Sequence, residues 1–538
     1  MDWIRFRREA AWLFEAVQER AGSWRGEVLI HSTHGFIPAL KEELIYGAML
    51  AWQGYRPVFL ITRNPTTARY LRLLTVSRVV YWDDYDIGPS EADRRAAVGL
   101  VDTVRCPEDL VSLEHEGVAV GRHALSWFMR TTRSGTVHLE RHRTALIEHI
   151  AQSLSAARGA RAVLNRENAA VVLMIERGYT PFGEFFDLAL QRGRRVVQYV
   201  ASHQDDAKVY KAYSLDTRTD HPYSLSPESW TRALRQPFGE HETQRLLKHW
   251  EGCYASRTWF NFQRLQHLTR MFSREEIAER LGLDASKKTA IIFAHIFWDA
   301  TFFYGDNLYF DYQRWFVETI KLANSNPSVN WVIKLHPVNV WRLEADGVVN
   351  ARYSELVALE EAGITLAPHL RLLLPDTEIS TWSLFQIGDY CVTVRGTVGI
   401  EMAALGKRVV TAGSGHYSSR GFTTSPTTIA EYENILLGIE KLPPASAEEK
   451  ERAVRYAYWL LWEKPYRFGT FKLEYCKDKN VFHPLNGRPR IMATNREEIF
   501  DAPTTQYWVR WLTESQAADC IYGADEGEVS SVVRVVNS

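Results

Sequence analysis

Cysteine is scarce and scattered in this 538-residue chain, with Cys106, Cys253, Cys391, Cys476 and Cys520 odd in number and no two forming a C-x-x-C pair. That pattern excludes a disulfide framework and a cysteine-ligated zinc site, and points to a reducing compartment. No apolar run reaches the ~18 residues a membrane-spanning helix requires. Excess charge is missing as well: 64 Lys and Arg stand against 65 Asp and Glu, a net charge of −1, so there is no bulk attraction for nucleic acid. The basic N-terminus lacks an uninterrupted apolar stretch and a small-residue cleavage site, which excludes a secretory signal. Short repeats and low-complexity segments are absent too. A cytoplasmic protein is expected.

What is present is ordinary globular composition, 46% hydrophobic and 24% charged. The length exceeds the ~250–300 residues at which one core usually stops growing, so two domains with extensions are expected. From Glu27 the pattern becomes strand, loop and helix: EVLIH (27–31), a helix from about Ile37 to Gln53, RPVFLIT (56–62), VVYWDD (79–84), AAVVLMIE (169–176), a helix from Phe182, and RRVVQYVA (194–201). Between His203 and about Arg274 the apolar strands stop. A second series runs through TAIIFAH (289–295), a helix from Asp311 to Ala323, NWVIKLHP (330–337), ITLAP (364–368), a helix at 378–387, YCVTV (390–394) and RVVT (408–411). Buried strands alternating with helices imply parallel sheets of βαβ units. The reading is an α/β protein of two Rossmann-like, doubly wound domains facing a cleft. Residues 1–210 form the first domain, 211–285 a mostly helical linker, 286–440 the second domain, and 441–538 a helical extension with a tail. At the N-terminus Trp3, Ile4, Phe6, Trp12, Leu13 and Phe14 alternate with Arg5, Arg7 and Arg8. An apolar stripe of this kind usually marks a helix docked on its own domain, while the alternative is peripheral association with an anionic membrane surface.

Ligands of doubly wound sheets sit outside the carboxyl ends of the strands, and there the sequence places its unusual residues. The first half offers His31 and His34 after strand 27–31, Glu176 after 169–176, and His203, Asp205 and Asp206 after 194–201. The second half offers His295, then Lys334, His336 and Pro337, then Arg395, Gly396, Thr397, Gly399 and Glu401 on a strand, glycine turn and helix start. Such a turn gathers free N–H groups suited to phosphate. Sugar transfer from an activated phosphate must stabilise the departing charge, activate an acceptor hydroxyl and accommodate a cationic sugar carbon. Lys334, His336, Arg395 and Thr397 are the expected phosphate donors, and Glu401 the expected acceptor from ribose hydroxyls. Glu176, Asp205, Asp206 and His34 are the catalytic candidates for base or nucleophile. His295, Trp298, Tyr304 and Tyr417 are expected to line the donor or acceptor site, since aromatic faces stack on sugars. His138 and His142 read as part of a basic helix rather than metal ligands, and no metal or resident cofactor is expected.

The segment from about Thr289 to Thr428 resembles the bacterial capsule polysaccharide biosynthesis family, which includes Kdo transferases of the GT-B fold. The likeness is carried by IKLHPVN (333–339) and RGTVGIEMAALGKRVVTAGSGHYSSRGFTTSP (395–426), with FWDATFFYGDNLYFDYQRWF (297–316) as companion. It implies that His336 and Pro337 contact the donor nucleotide and that Gly396, Thr397, Gly399 and Glu401 form its ribose site. The implied function is glycosyl transfer from a nucleotide sugar to a growing surface glycan such as capsule or lipopolysaccharide, at the inner face of the membrane. CMP-Kdo is the favoured donor, with UDP-, GDP- and CDP-linked donors open. The implied partners are the nucleotide sugar and a glycan or glycolipid acceptor. Alternatives are a CDP-polyol phosphotransferase of teichoic-acid type, a nucleotide-sugar 2-epimerase, and a non-catalytic glycan-binding protein.

Overall fold

The structure is a computed structural model, and it describes residues 2–18, 22–204, 206–257, 269–340, 352–475 and 487–523. Short Val-, Ile- and Leu-rich runs become strands because both faces of a parallel sheet are covered by helices. The first sheet contains β1 (Gly26–His31), β2 (Tyr55–Ile61), β3 (Arg78–Tyr81), β4 (Val171–Met174), β5 (Arg195–Ala201) and β6 (Ala207–Tyr213). The second contains β7 (Thr289–Phe293), β8 (Asn330–Lys334), β9 (Leu370–Leu373), β10 (Tyr390–Thr393) and β11 (Arg408–Thr411). A further strand, β12 (Tyr466–Arg467), completes the first sheet in the order β12-β6-β5-β4-β1-β2-β3; the second runs β11-β10-β7-β8-β9. All pairings of the second sheet and those from β1 to β5 are parallel, whereas β6 pairs antiparallel with both β5 and β12. This is an α/β fold of the GT-B type. Each sheet reverses its winding beside its first strand, β1 or β7, and these switch points locate the cleft.

Helix Ile37–Trp52 is buried along its whole length, which explains an apolar sequence with little facial contrast. One side meets β1 and β2 through residues such as Leu44 and Phe59, and the other meets Phe471 and Trp508 from the C-terminal region. Helices Leu139–Arg166 and Phe182–Gln191 cover the opposite face. In the second domain, Trp315, Phe316 and Ile320 of helix Tyr312–Ser325 pack on one face. Trp250 and Tyr254 of helix Glu240–Ser256, with Tyr456 of helix Ala447–Tyr458, pack on the other. Helix Asp2–Gln18 docks on its own domain, burying Phe6, Ala10, Leu13, Phe14 and Val17. Among the described residues no helix is long and apolar enough to cross a membrane.

Several expectations change. The stretch after His203, where strands were expected to stop, holds a strand, AKVYKAY, with Lys208 and Lys211 in it. Both are buried, Lys208 3.0 Å from Glu42 and Lys211 within 3.7 Å of Asp220 and Asp519. The strand expected at 364–368 lies instead at β9, beyond a turn, and VVYWDD ends in a 3-10 turn, Trp82–Asp84. The helices of the expected linker belong to the second domain's core through Trp230, Leu246 and Trp250. The C-terminal extension is not purely helical: it contains β12 and the hairpin of β13 (Phe471–Glu474) with β14 (Arg488–Ile491). It returns to the first domain, where helix Pro503–Glu514 buries Tyr507, Trp508 and Trp511.

That return is pinned by Asp519. Its carboxylate lies 2.7 Å from Lys464 and 3.6 Å from Lys211, and accepts the Ser226 N–H at 2.6 Å, all in the interior. Burial opposes the charge, but Lys464 and Lys211 outweigh it and hold Asp519 well below the usual carboxylate range. Removing one member leaves buried charge uncompensated, so Asp519→Ala is expected to lower stability by about 3–5 kcal/mol. Urea unfolding followed by tryptophan fluorescence measures this, and an unchanged midpoint would contradict it.

Candidate functional site

The ends of β7, β10 and β11 form one wall of the cleft. After β7, the His295 ring stacks on Tyr312 with centroids 4.7 Å apart. Its Nε2 accepts the Arg395 N–H at 3.2 Å and lies 3.1 Å from the Thr393 hydroxyl. Burial, with Arg395 nearby, lowers its pKa to about 3, so it is neutral and props the glycine turn. After β8, His336 accepts the Val338 N–H on Nδ1 at 3.2 Å, which puts its own proton on Nε2, and burial lowers its pKa to about 4. Pro337 follows it. Lys334 is buried: its ammonium donates to the Leu335 carbonyl at 2.7 Å, and burial lowers its pKa to about 8.

Arg395 is only 8% exposed. One nitrogen, Nη2, donates to the Asp306 carbonyl at 3.0 Å and to Asn307, while Nε and Nη1 are buried without a hydrogen-bond partner. Glycines make room for it. A Cβ at Gly415 would stand 2.7 Å from Cβ of Arg395, and one at Gly413 would stand 2.6 Å from the Asp306 carbonyl. His416, after β11, is buried with neither ring nitrogen hydrogen-bonded, and burial lowers its pKa to about 3. Its ring faces His221 at 5.2 Å, and His221 faces Tyr304 at 4.5 Å. Burial pushes His221 far down, and His416, Arg177, Arg395 and Lys464 push it further. His416 through its ring and Arg395 through its charge thus both act on His221. A buried donor normally has a partner, and these nitrogens have none among the described residues.

The first domain supplies the facing wall. Glu176, after β4, accepts the N–H groups of Arg177 at 2.7 Å and Gly178 at 3.0 Å, and burial raises its pKa, with Asp299 adding to the rise. Asp299 comes from the loop after β7 and accepts from Tyr179 at 2.8 Å and from Arg130, which ties the two domains across the cleft. Burial opposes the Arg130 charge, yet Asp299 holds its pKa above the ordinary value. Arg177 is buried among Phe186, Tyr213 and Tyr304, with ring centroids 4.6–5.1 Å from its guanidinium carbon.

Other expected residues fall elsewhere. His34 has both nitrogens engaged, Nδ1 accepting the Phe36 N–H at 3.0 Å and Nε2 3.1 Å from Glu43, which also accepts from Tyr199 at 2.7 Å. His31 is a core histidine among Trp82, Phe182 and Phe185. Asp206 pairs with Arg467 of β12 at 3.4 Å, and Asp205 lies outside the described residues. Trp298 is buried, with Arg130 of the first domain 5.1 Å over its ring. Tyr417 does not line the cleft: it is buried beneath the glycine turn and donates to the Gly396 carbonyl at 2.8 Å, where a Cβ on Gly399 would meet its hydroxyl at 2.3 Å. Thr397 is exposed at the turn. Glu401 faces inward, accepting from Tyr254 at 2.9 Å beside a small cavity lined by Trp250, Ile400 and Leu460. The reading of the sequence missed Arg130, Arg177, His221, Asp299 and His416. Asp299 lies inside FWDATFFYGD and His416 inside AGSGHYS, each a polar residue within a segment already singled out.

No protein-family model and no curated protein sequence matches this chain. Among solved structures it is similar to Thermosulfurimonas dismutans KpsC, described as a beta Kdo 2,4 transferase, at 13% identity and TM-score 0.31, over 55% of this chain and 81% of that one. The Neisseria meningitidis UDP-GlcNAc 2-epimerase gives 11% identity and TM-score 0.26 over 80% of this chain and 95% of that one. Acinetobacter baumannii MurG gives 11% and 0.26 over 80% and 94%. None of these likenesses bears on which reaction this chain catalyses.

Burial raises the Glu401 pKa from 4.5 to about 8, so the folded protein holds a proton there that the unfolded chain releases. The stability this contributes is complete below the unfolded pKa and is lost as pH rises through the folded one, at ~1.4 kcal/mol per pH unit. Glu401→Gln keeps an acceptor for Tyr254 without the titration. Its Tm is expected to match wild type near about pH 5 and exceed it by several degrees near about pH 8.5; a gap independent of pH would contradict a buried neutral acid.

Proposed function

We propose that the cleft binds a nucleotide-activated sugar and transfers the sugar to a glycan acceptor. The observation that carries this is the pair Arg395 and His416, buried at the ends of adjacent strands β10 and β11 with Nε, Nη1 and both imidazole nitrogens unpartnered. A phosphate placed there meets a fixed guanidinium cation and a neutral imidazole. Its charge would also raise the pKa of His416 and draw a proton onto the ring. That stabilises the charge appearing on the departing phosphate, the step such a transfer requires. Glu176, a carboxylate that burial makes more basic than usual, is the group suited to take the acceptor proton. Asp299 adds negative charge near a cationic sugar carbon and holds the domains together through Tyr179 and Arg130. The segments at 333–339 and 395–426 favour CMP-activated Kdo as the donor and a capsule- or lipopolysaccharide-type glycan as the acceptor. An acceptor of that kind would place the enzyme at the inner membrane face.

Two steps test the reading. CMP, CDP, UDP and GDP are each titrated against Tm; one of them is expected to raise it, by RT ln(1 + [L]/Kd). Arg395→Gln is expected to weaken that nucleotide by about tenfold or more, as loss of a charge-assisted hydrogen bond does. No shift with any nucleotide would overturn the donor site. The matching nucleotide sugar is then incubated without acceptor: release of free sugar or no reaction fits transfer, and conversion of the sugar while still nucleotide-linked would establish an epimerase instead.

A further inference from the structure

Helix Asp2–Gln18 buries one stripe in the first domain and turns another outward. Ile4 is 60% exposed on the outward side, flanked by exposed Arg7 and Arg8 at the helical spacings of three and four residues, with exposed Arg5 beside it. Trp3 is half-buried at the edge of this face. Its indole N–H donates to the Arg69 carbonyl at 3.2 Å, and the guanidinium carbons of Arg69 and Arg7 lie 4.0 and 5.4 Å from its ring centroid. Arg69 belongs to helix Pro65–Leu71, and Arg72 just after it is exposed as well. The two helices are held together where Phe6 meets Tyr70 at 5.8 Å and Asp2 accepts from Lys41 and Tyr70.

Among the described residues none of Arg5, Arg7, Arg8, Arg69 and Arg72 forms an ion pair, whereas exposed arginines elsewhere in the first domain do: Arg63 with Asp84, Arg94 with Glu148 and Arg143 with Asp102. The nearby carboxylates are already engaged, Asp2 by Lys41 and Glu9 by Arg488, and Arg5 acts on Asp2 through space. Glu15 shares the outward face but lies about 16 Å along the helix axis from Ile4. A chain of net charge −1 thus gathers five arginines around an exposed isoleucine and a tryptophan at the surface. Phosphate headgroups suit the guanidinium forks, the tryptophan suits the boundary between headgroups and acyl chains, and the isoleucine gains only where an apolar layer receives it.

The patch also adjoins the strand-end edge of the first domain. Lys41 is in the second turn of the helix that follows β1, and Arg69 in the second turn of the helix that follows β2. Both helices start from the carboxyl ends of their strands, the edge that carries Glu176 after the neighbouring β4.

We propose that the outward face of helix Asp2–Gln18, together with Arg69 and Arg72, seats the protein on an anionic phospholipid bilayer. On the transferase reading above, this places lipid on the acceptor side of the cleft, and the acceptor is then one anchored in that bilayer. Lipid binding by these residues does not depend on that reading.

The test is flotation of the full chain with vesicles of phosphatidylcholine alone and of phosphatidylcholine mixed with phosphatidylglycerol, without nucleotide. Wild type is expected to float with the mixed vesicles only, and less as salt rises. The variant Arg5→Gln, Arg7→Gln, Arg8→Gln should bind them about tenfold or more weakly. The pair Arg69→Gln, Arg72→Gln should also weaken binding while leaving the N-terminal helix untouched, and both variants should keep the wild-type Tm because the changed side chains are exposed. Ile4→Ser should weaken binding too. Failure of wild type to float with anionic vesicles, or unchanged flotation of both arginine variants, would overturn the proposal. Flotation that Ile4→Ser leaves unchanged would overturn it as well, since charge alone would then account for the binding and a soluble polyanion would serve equally. If vesicles bind but no nucleotide shifts Tm, the transferase reading and the anchored acceptor fall while the lipid surface stands.

Discussion

Arg395 is held by a single nitrogen. The Asp306 carbonyl and Asn307 fix Nη2, and the glycines at 413 and 415 let the loop and the strand end close around the side chain. The remaining nitrogens are buried with no acceptor, as are both nitrogens of His416 on the next strand. Burying donors without partners is unfavourable by ~1–3 kcal/mol or more per group, and a fold keeps such an arrangement where something else supplies the acceptors. The supporting contacts are arranged around this one. His295 braces the Arg395 backbone, Tyr417 braces Gly396 from beneath, and neutral His221 and Tyr304 close the side toward the first domain.

The two sheets are also tied so that their strand ends stay opposed. Asp299 reaches from the second domain to Tyr179 and Arg130 of the first, and Thr136 of the first domain donates to Asp311 at 2.5 Å. Asp519 adds a third tie, joining Lys211 of β6 in the first sheet to Lys464, which follows helix Ala447–Tyr458 of the second domain's core. The C-terminal region thereby becomes part of the first domain, giving that domain two chain segments. Glu176 follows β4 of the first domain, while Arg395 and His416 follow β10 and β11 of the second, the division between acceptor and donor sides that the proposed transfer requires.

Much of the fold was legible because parallel strands buried on both faces must be continuous apolar runs, and EVLIH, AIIF, WVI and YCVTV are such runs. AKVYKAY was not legible, since its two lysines are neutralised by Glu42, Asp220 and Asp519, carboxylates remote in sequence. The glycine turn at 396–399 and the histidines at strand ends were legible as positions; their roles were not. Lys334 was expected to donate to phosphate and donates to the Leu335 carbonyl, Tyr417 was expected to line the site and braces the Gly396 carbonyl, and Glu401 was expected to accept from ribose hydroxyls and accepts from Tyr254. Arg177, His221, Asp299 and His416 escaped notice because only folding brings β4, the loop after β6, the loop after β7 and the end of β11 together.

The most direct measurement is a crystal structure of the protein soaked with the nucleotide that most raises its Tm. The account predicts phosphate density within hydrogen-bond distance of Arg395 Nε or Nη1 and of a ring nitrogen of His416, with the sugar side of the nucleotide directed toward Glu176. Nucleotide bound elsewhere, with Arg395 and His416 still unpartnered, would contradict it.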